Sequence, residues 1–141
     1  MSDADALARR IADAMLAREG TGPAWGITIE EAREGYARVR MTLRDDMLNG
    51  HRSAHGGMIF SLADTAFAYA CNSRNETTVA QSATIAFLAP AAAGDVLVAE
   101  AQEASRSGRS SVYHVSVKTG DGRVIAEFTG LSRTIGGAVI D

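Results

Sequence analysis

Cysteine is nearly missing: Cys71 is the only one in 141 residues. One thiol closes no internal disulfide. With the three histidines at 51, 55 and 114 it offers no metal-ligand spacing. Its apolar setting marks Cys71 as a small core residue, not a nucleophile. There is no excess of positive charge either. The formal net charge of −3 leaves no electrostatic footprint for nucleic acid and no attraction to an anionic membrane. A local basic patch remains compatible with a phosphorylated ligand. Long hydrophobic runs are missing too. The longest is interrupted by Asp64 and is too short to span a membrane. Residues 3–19 mix Asp, Arg and Glu among their apolar positions and contain no signal-peptide core. The expectation is a cytoplasmic protein without a membrane partner. No repeat or linker interrupts the chain, so one domain over residues 1–141 is expected, with an N-terminal helix within residues 1–20.

What is present centres on Asn49 to Asp64. A polar, glycine-bearing loop runs into the apolar run Met58 to Cys71, with Gly56-Gly57 at the junction. A helix start with bare N–H groups can stabilise developing negative charge. A carboxylate inside an apolar helix is costly unless it has a partner or a task.

The flanking patterns supply the scaffold. Leu7, Ile11, Ala14 and Met15 fall at helical spacing, with Ser2 or Asp3 as cap and Gly20 as stop. Thr21 to Pro23 reads as a turn and Trp25 to Ile29 as a short strand. After the turn Glu34-Gly35, Ala37, Val39, Met41 and Leu43 alternate with polar residues, a period-2 strand with one wet face. The run from Met58 to about Asn72 is apolar nearly all round, which predicts a helix buried on all sides. Four strand-like segments follow: 79–88 (ended by Pro90), 96–105, 111–119 and 124–135, with Gly120-Asp121-Gly122 as a hairpin signal. One helix cannot cross over between every strand pair, which disfavours a parallel α/β stack. The expected class is α+β: a curved antiparallel sheet of about six strands wrapped around one long central helix, with an additional N-terminal helix.

Three stretches carry a family resemblance: Asn49-Gly50 through His55-Gly56-Gly57 to Leu62-Ala63-Asp64, Thr84 to Pro90, and Ser132 to Gly137. Together they resemble the hotdog-fold acyl-CoA thioesterases, and within these the PaaI-type enzymes of phenylacetate degradation. Many relatives carry Arg before the strand-ending proline, where this chain has Ala89. The resemblance implies hydrolysis of acyl-CoA thioesters, with phenylacetyl-CoA and its ring-hydroxylated forms as substrates. Coenzyme A is then part of the substrate, and no separate cofactor or metal is expected. Two alternatives stand beside it. One is a hotdog acyl-thioester hydratase or dehydratase, which the lack of a His-Phe-Pro element and a proline-rich loop disfavours. The other is a non-catalytic acyl-CoA sensor, which has no need for Asp64.

Thioester hydrolysis needs an oxyanion donor and a group that attacks or activates water. Gly56 N–H is the expected donor, since no Cβ blocks the approach of an oxygen. Asp64 is the expected general base or nucleophile. Asn49, matched by a residue in relatives, would position the water or the carboxylate. His55 would contact the thioester or orient the loop. Gly57 and Thr65 are candidate substrate contacts, although Thr65 and Ser61 commonly bond back to their own helix. Arg106 and Arg109 are candidate contacts for the coenzyme phosphates. Asp64 lies eight residues beyond Gly56, ~12 Å along one helix. One carbonyl does not easily meet both groups within one chain. A second helix running antiparallel beside the first removes the difficulty, which predicts a homodimer with shared sites. The family resemblance extends this to a homotetramer built as a dimer of dimers.

Overall fold

The computed structural model describes residues 1–141. The first helix, α1, spans Asp3–Arg18. Its cap is Ser2, whose hydroxyl accepts from Asp5 N at 3.1 Å, and acidic Asp3 and Asp5 occupy the positive first turn. Ala8, Ile11 and Ala12 are its buried stripe.

The next segment departs from expectation. Thr21–Trp25 forms a short helix, α2, and not a turn leading into a strand. Pro23 sits in its first turn, where a missing N–H costs nothing. Gly26, at φ 68°, ends the helix in the left-handed region open to glycine. Trp25, which resembles a strand former in isolation, packs instead against the core.

Six strands follow: β1 (Thr28–Arg33), β2 (Tyr36–Thr42), β3 (Thr78–Phe87), β4 (Val96–Ser107), β5 (Ser110–Thr119) and β6 (Val124–Thr134). They form one antiparallel sheet in the order β1-β2-β4-β5-β6-β3. The helix α3 (Gly56–Cys71) lies between β2 and β3 in the chain and packs across one face of the sheet. Ile59, Leu62, Ala63, Ala66 and Phe67 of α3 are buried against Val39, Met41, Leu97, Val115 and Phe128. The rings of Phe60, Phe67, Tyr113 and Phe128 join through centroid distances of 5.4–5.7 Å, the spacing of edge-on aromatic packing. No helix is long and apolar enough to cross a membrane.

The expectation that α3 is buried on all sides does not hold for the single chain. Phe60, Ser61, Asp64, Thr65 and Ala68 form a half-buried stripe. The sheet covers only one side of the helix, and the opposite side lines a cavity. The two sheet edges also differ. β1 is short, interrupted by a register shift, and carries Glu30, Glu31 and Arg33. Such an edge resists pairing with another chain. β3 is ten residues long, carries no charge and pairs only with β6. Val79, Phe87 and the adjoining Leu88 are 42%, 54% and 61% exposed.

Candidate active site

The start of α3 is built by His55. Its Nδ1 accepts from Gly57 N at 2.9 Å, and its carbonyl accepts from Met58 N at 2.9 Å. The ring therefore acts as a helix cap, and its other nitrogen carries the proton. Gly56 N–H, the first of the helix, has no acceptor in the chain. Both glycines have a steric reason. A Cβ on Gly57 would meet His55 Nδ1 at 3.0 Å, and one on Gly56 would meet Phe87 Cζ at 3.1 Å.

Asn49 organises the preceding loop. Its Oδ1 accepts from His51 N at 2.9 Å and from Ser53 N at 3.2 Å, an arrangement asparagine favours in turns. Its side-chain NH₂ donates to nothing in the chain. Asn49, Ser53, Gly56, Phe87, Leu88 and Pro90 all line a cavity of about 440 Å³. One free backbone donor and one free amide donor thus open into the same space.

Asp64 opens elsewhere, into a cavity of about 690 Å³ with walls from Met15, Trp25, Phe60, Ser61 and Thr65. The carboxylate accepts no hydrogen bond from the chain. Burial pushes its pKa above the ordinary aspartate value, with no nearby cation to offset the shift. Such a carboxylate is more basic than a solvated one. Thr65 Oγ1 bonds back to Ser61 O at 2.8 Å and Ser61 Oγ to Gly57 O at 2.7 Å. These hydroxyls are already engaged with their own helix.

Asn49 and Gly56 therefore come together, as do Asp64 and Thr65, but the two pairs stand in separate cavities of one chain. Gly57, with His55, belongs to the capping structure. Arg106 and Arg109 join neither cavity. Arg106 borders a crevice with Cys71, Arg74 and Glu76 at the far end of α3. Arg109 lies in the turn between β4 and β5, its carbonyl accepting from Thr134 N at 2.8 Å. Burial pushes the Cys71 thiol up to about 12, which leaves it protonated and unreactive. No three His, Cys, Asp or Glu side chains converge as metal ligands. The walls contributed by Met15 and Trp25, and Phe87 over Gly56, were not foreseeable as site residues. Trp25 reaches the wall from α2, where the local pattern predicts a turn and a strand.

Residues 51–126 match the thioesterase superfamily model. The acyl-coenzyme A thioesterase PaaI of Escherichia coli is 46% identical over 128 residues, which cover 91% of each chain. The solved structure of the Escherichia coli PaaI protein from the phenylacetic acid degradation operon superposes with a TM-score of 0.93 at 45% identity, covering 95% of this chain and 97% of that one. A mutant structure of the phenylacetic acid degradation protein PaaI from Thermus thermophilus superposes at 0.80 with 35% identity, covering 83% and 100%. The strand order, the central helix and the match over nearly the whole length agree: this chain belongs to the thioesterase superfamily, as an acyl-CoA thioesterase of PaaI type with the hotdog fold.

Proposed function

We propose that the chain hydrolyses phenylacetyl-CoA and ring-hydroxylated phenylacetyl-CoA to the free acid and coenzyme A, at sites shared between two subunits. One observation carries the reading: Gly56 and Asp64 sit on one helix yet open into different cavities. Each cavity holds half of what the reaction needs. A two-fold partner whose α3 runs antiparallel brings its Gly56 beside Asp64, and makes two equivalent sites. The uncharged, uncovered edge of β3 and the half-buried stripe of α3 are the surfaces such a partner would cover. Two such dimers would make the tetramer. The aryl-acetyl substrate class is supported by the relatives that carry phenylacetic acid degradation in their descriptions.

In this scheme the thioester oxygen accepts from Gly56 N–H, which stabilises the negative charge that develops as the carbonyl carbon is attacked. Asp64 takes a proton from the attacking water. The C–S bond then breaks, and the same proton passes to the leaving sulfur. Direct attack by Asp64 would give a mixed anhydride that water opens in a second step. Single-turnover hydrolysis in ¹⁸O-water identifies the second route when label enters the Asp64 carboxylate, which happens where water opens the anhydride at the aspartyl carbonyl. The Asn49 amide donor orients the water or the Asp64 carboxylate from the Gly56 side. Coenzyme A enters as part of the substrate and no further cofactor takes part.

Free-thiol release from a panel of acyl-CoA thioesters tests the assignment. Asp64→Asn is expected to lower kcat by ~10²-fold or more. Equal rates in both proteins would refute the role of Asp64.

A further inference from the structure

The cavity beside Asp64 contains a polar pair that the hydrolysis itself does not use. Tyr69, on α3, is buried at 1% exposure, and its hydroxyl donates to Glu19 Oε1. Glu19 stands just after α1, and its Oε2 accepts from Thr21 Oγ1 at 3.2 Å. Both residues border the cavity. Burial, and then the neighbouring carboxylate, push the Tyr69 phenol well above the ordinary tyrosine range, so it stays a donor.

Most of the rest of the cavity wall is apolar or already hydrogen-bonded. Met15, Trp25, Phe60 and Ala68 supply the apolar surface. Asn72 donates to Ala68 O and Thr78 O and accepts from Thr78 N. Arg18 donates to Val139 O at 2.9 Å. Apart from Asp64, Glu19 is the only carboxylate lining the space. Its two partners are hydroxyls, and a carboxylate has about four acceptor sites, so capacity remains. Tyr69 follows Asp64 by five residues, ~7.5 Å along the helix. All three residues line one cavity, so a ring whose carbonyl is held at Asp64 extends within the space that Tyr69 and Glu19 border.

We infer that Glu19, held in place by Tyr69, is a specificity-determining residue: it accepts a hydrogen bond from a hydroxyl on the far edge of a flat, apolar acyl group. The inference rests on the reading of Asp64 as the group that meets the thioester carbonyl. A carboxylate acceptor in a largely apolar pocket favours a donor-bearing ring over a bare one. The bare ring would leave the remaining acceptor capacity of Glu19 unused and cut off from water.

The test is the ratio of kcat/KM for 3- and 4-hydroxyphenylacetyl-CoA to that for phenylacetyl-CoA. It is measured for the full-length wild type, Glu19→Gln, Glu19→Leu and Tyr69→Phe, with thermal midpoints recorded for each. The better of the two hydroxylated substrates is expected to lose ~10-fold or more of its advantage in Glu19→Leu, with a smaller loss in Glu19→Gln. Tyr69→Phe keeps the carboxylate but removes the hydroxyl that holds it, so it is expected to lose part of the preference, less than Glu19→Leu. If Glu19 merely anchored α1, both substrates would slow together with a lowered midpoint, and an unmoved ratio overturns the inference. A ratio that collapses in Tyr69→Phe but survives in Glu19→Leu overturns it as well. Wild type that hydrolyses none of the three esters refutes the proposed function, and this inference with it. Hydrolysis with an unmoved ratio removes the inference alone.

Discussion

Two variants that are each inactive should restore activity when mixed, and the yield follows from the geometry of α3. Asp64→Asn removes the base and leaves the Gly56 donor intact. Gly56→Val crowds the donor and leaves Asp64 intact. Its Cβ would approach the Phe87 ring at 3.1 Å, and that ring lies outside the buried core of the chain, so the chain should still fold. After subunits exchange at equal concentrations, about half of the dimers are mixed. In a mixed dimer one site pairs wild-type Gly56 with wild-type Asp64, and the other combines both lesions. Activity should therefore reach about a quarter of wild type. A site contained within one chain predicts none, because every chain then carries one lesion. The assay is free-thiol release after co-refolding or prolonged incubation, with exchange verified by mass spectrometry of differently tagged chains. Verified exchange without recovery would refute the shared site.

Other expectations follow from the same geometry. Asp64 is half-buried without a partner, so its folded pKa lies above the unfolded value of 3.8. Its favourable contribution is complete below that value and is lost as pH rises through the folded pKa. Asp64→Asn should therefore melt higher than wild type at about pH 7, with the gap closing near about pH 3; a lower midpoint at neutral pH would show that the carboxylate has a stabilising partner. His55→Ala removes the cap on Gly57 N–H and should cost about 1 kcal/mol in chemical denaturation, together with a loss of thiol release. An unchanged denaturation midpoint would show that the cap contributes nothing. Ala83→Lys places a charge in the middle of the bare β3 edge and should shift sedimentation towards monomer while activity falls in parallel. Full activity in a species that sediments as a monomer would sink the dimer reading.

Much of the architecture was legible because its signals are local. The alternation of Val39, Met41 and Leu43 with polar neighbours marks β2, all three being buried in the fold. The glycine turns divide the later strands. Where the reading failed, a local signal was outweighed by packing. Trp25 has the bulk of a strand residue, but the chain at Thr21–Trp25 closes into one helical turn that sets the ring against the core. The all-round apolar character of α3 was legible, but which side the sheet would leave uncovered was not. Asp64 and Gly56 stood out as a carboxylate where none is comfortable and a glycine where a helix begins. Arg106 and Arg109 have the charge that a phosphate contact needs, but their basic turn reads first as a solvated hairpin, and the fold places Arg106 at the opposite end of α3 from Gly56.

The sequence by itself determined the class of fold, the family and the separation of Gly56 from Asp64, because helical rise converts residue number directly into distance. That separation is what motivates the proposal that a second helix brings the two groups onto one carbonyl. Only the tertiary structure decided what surrounds them. The cavity beside Asp64 takes walls from α1, α2 and the C-terminal tail, at Met15, Trp25 and Val139. The cavity beside Gly56 takes Phe87 from the end of an edge strand. Residues so distant in the chain meet through burial of their apolar surfaces, which leaves no pattern in local sequence and depends on how the whole core packs.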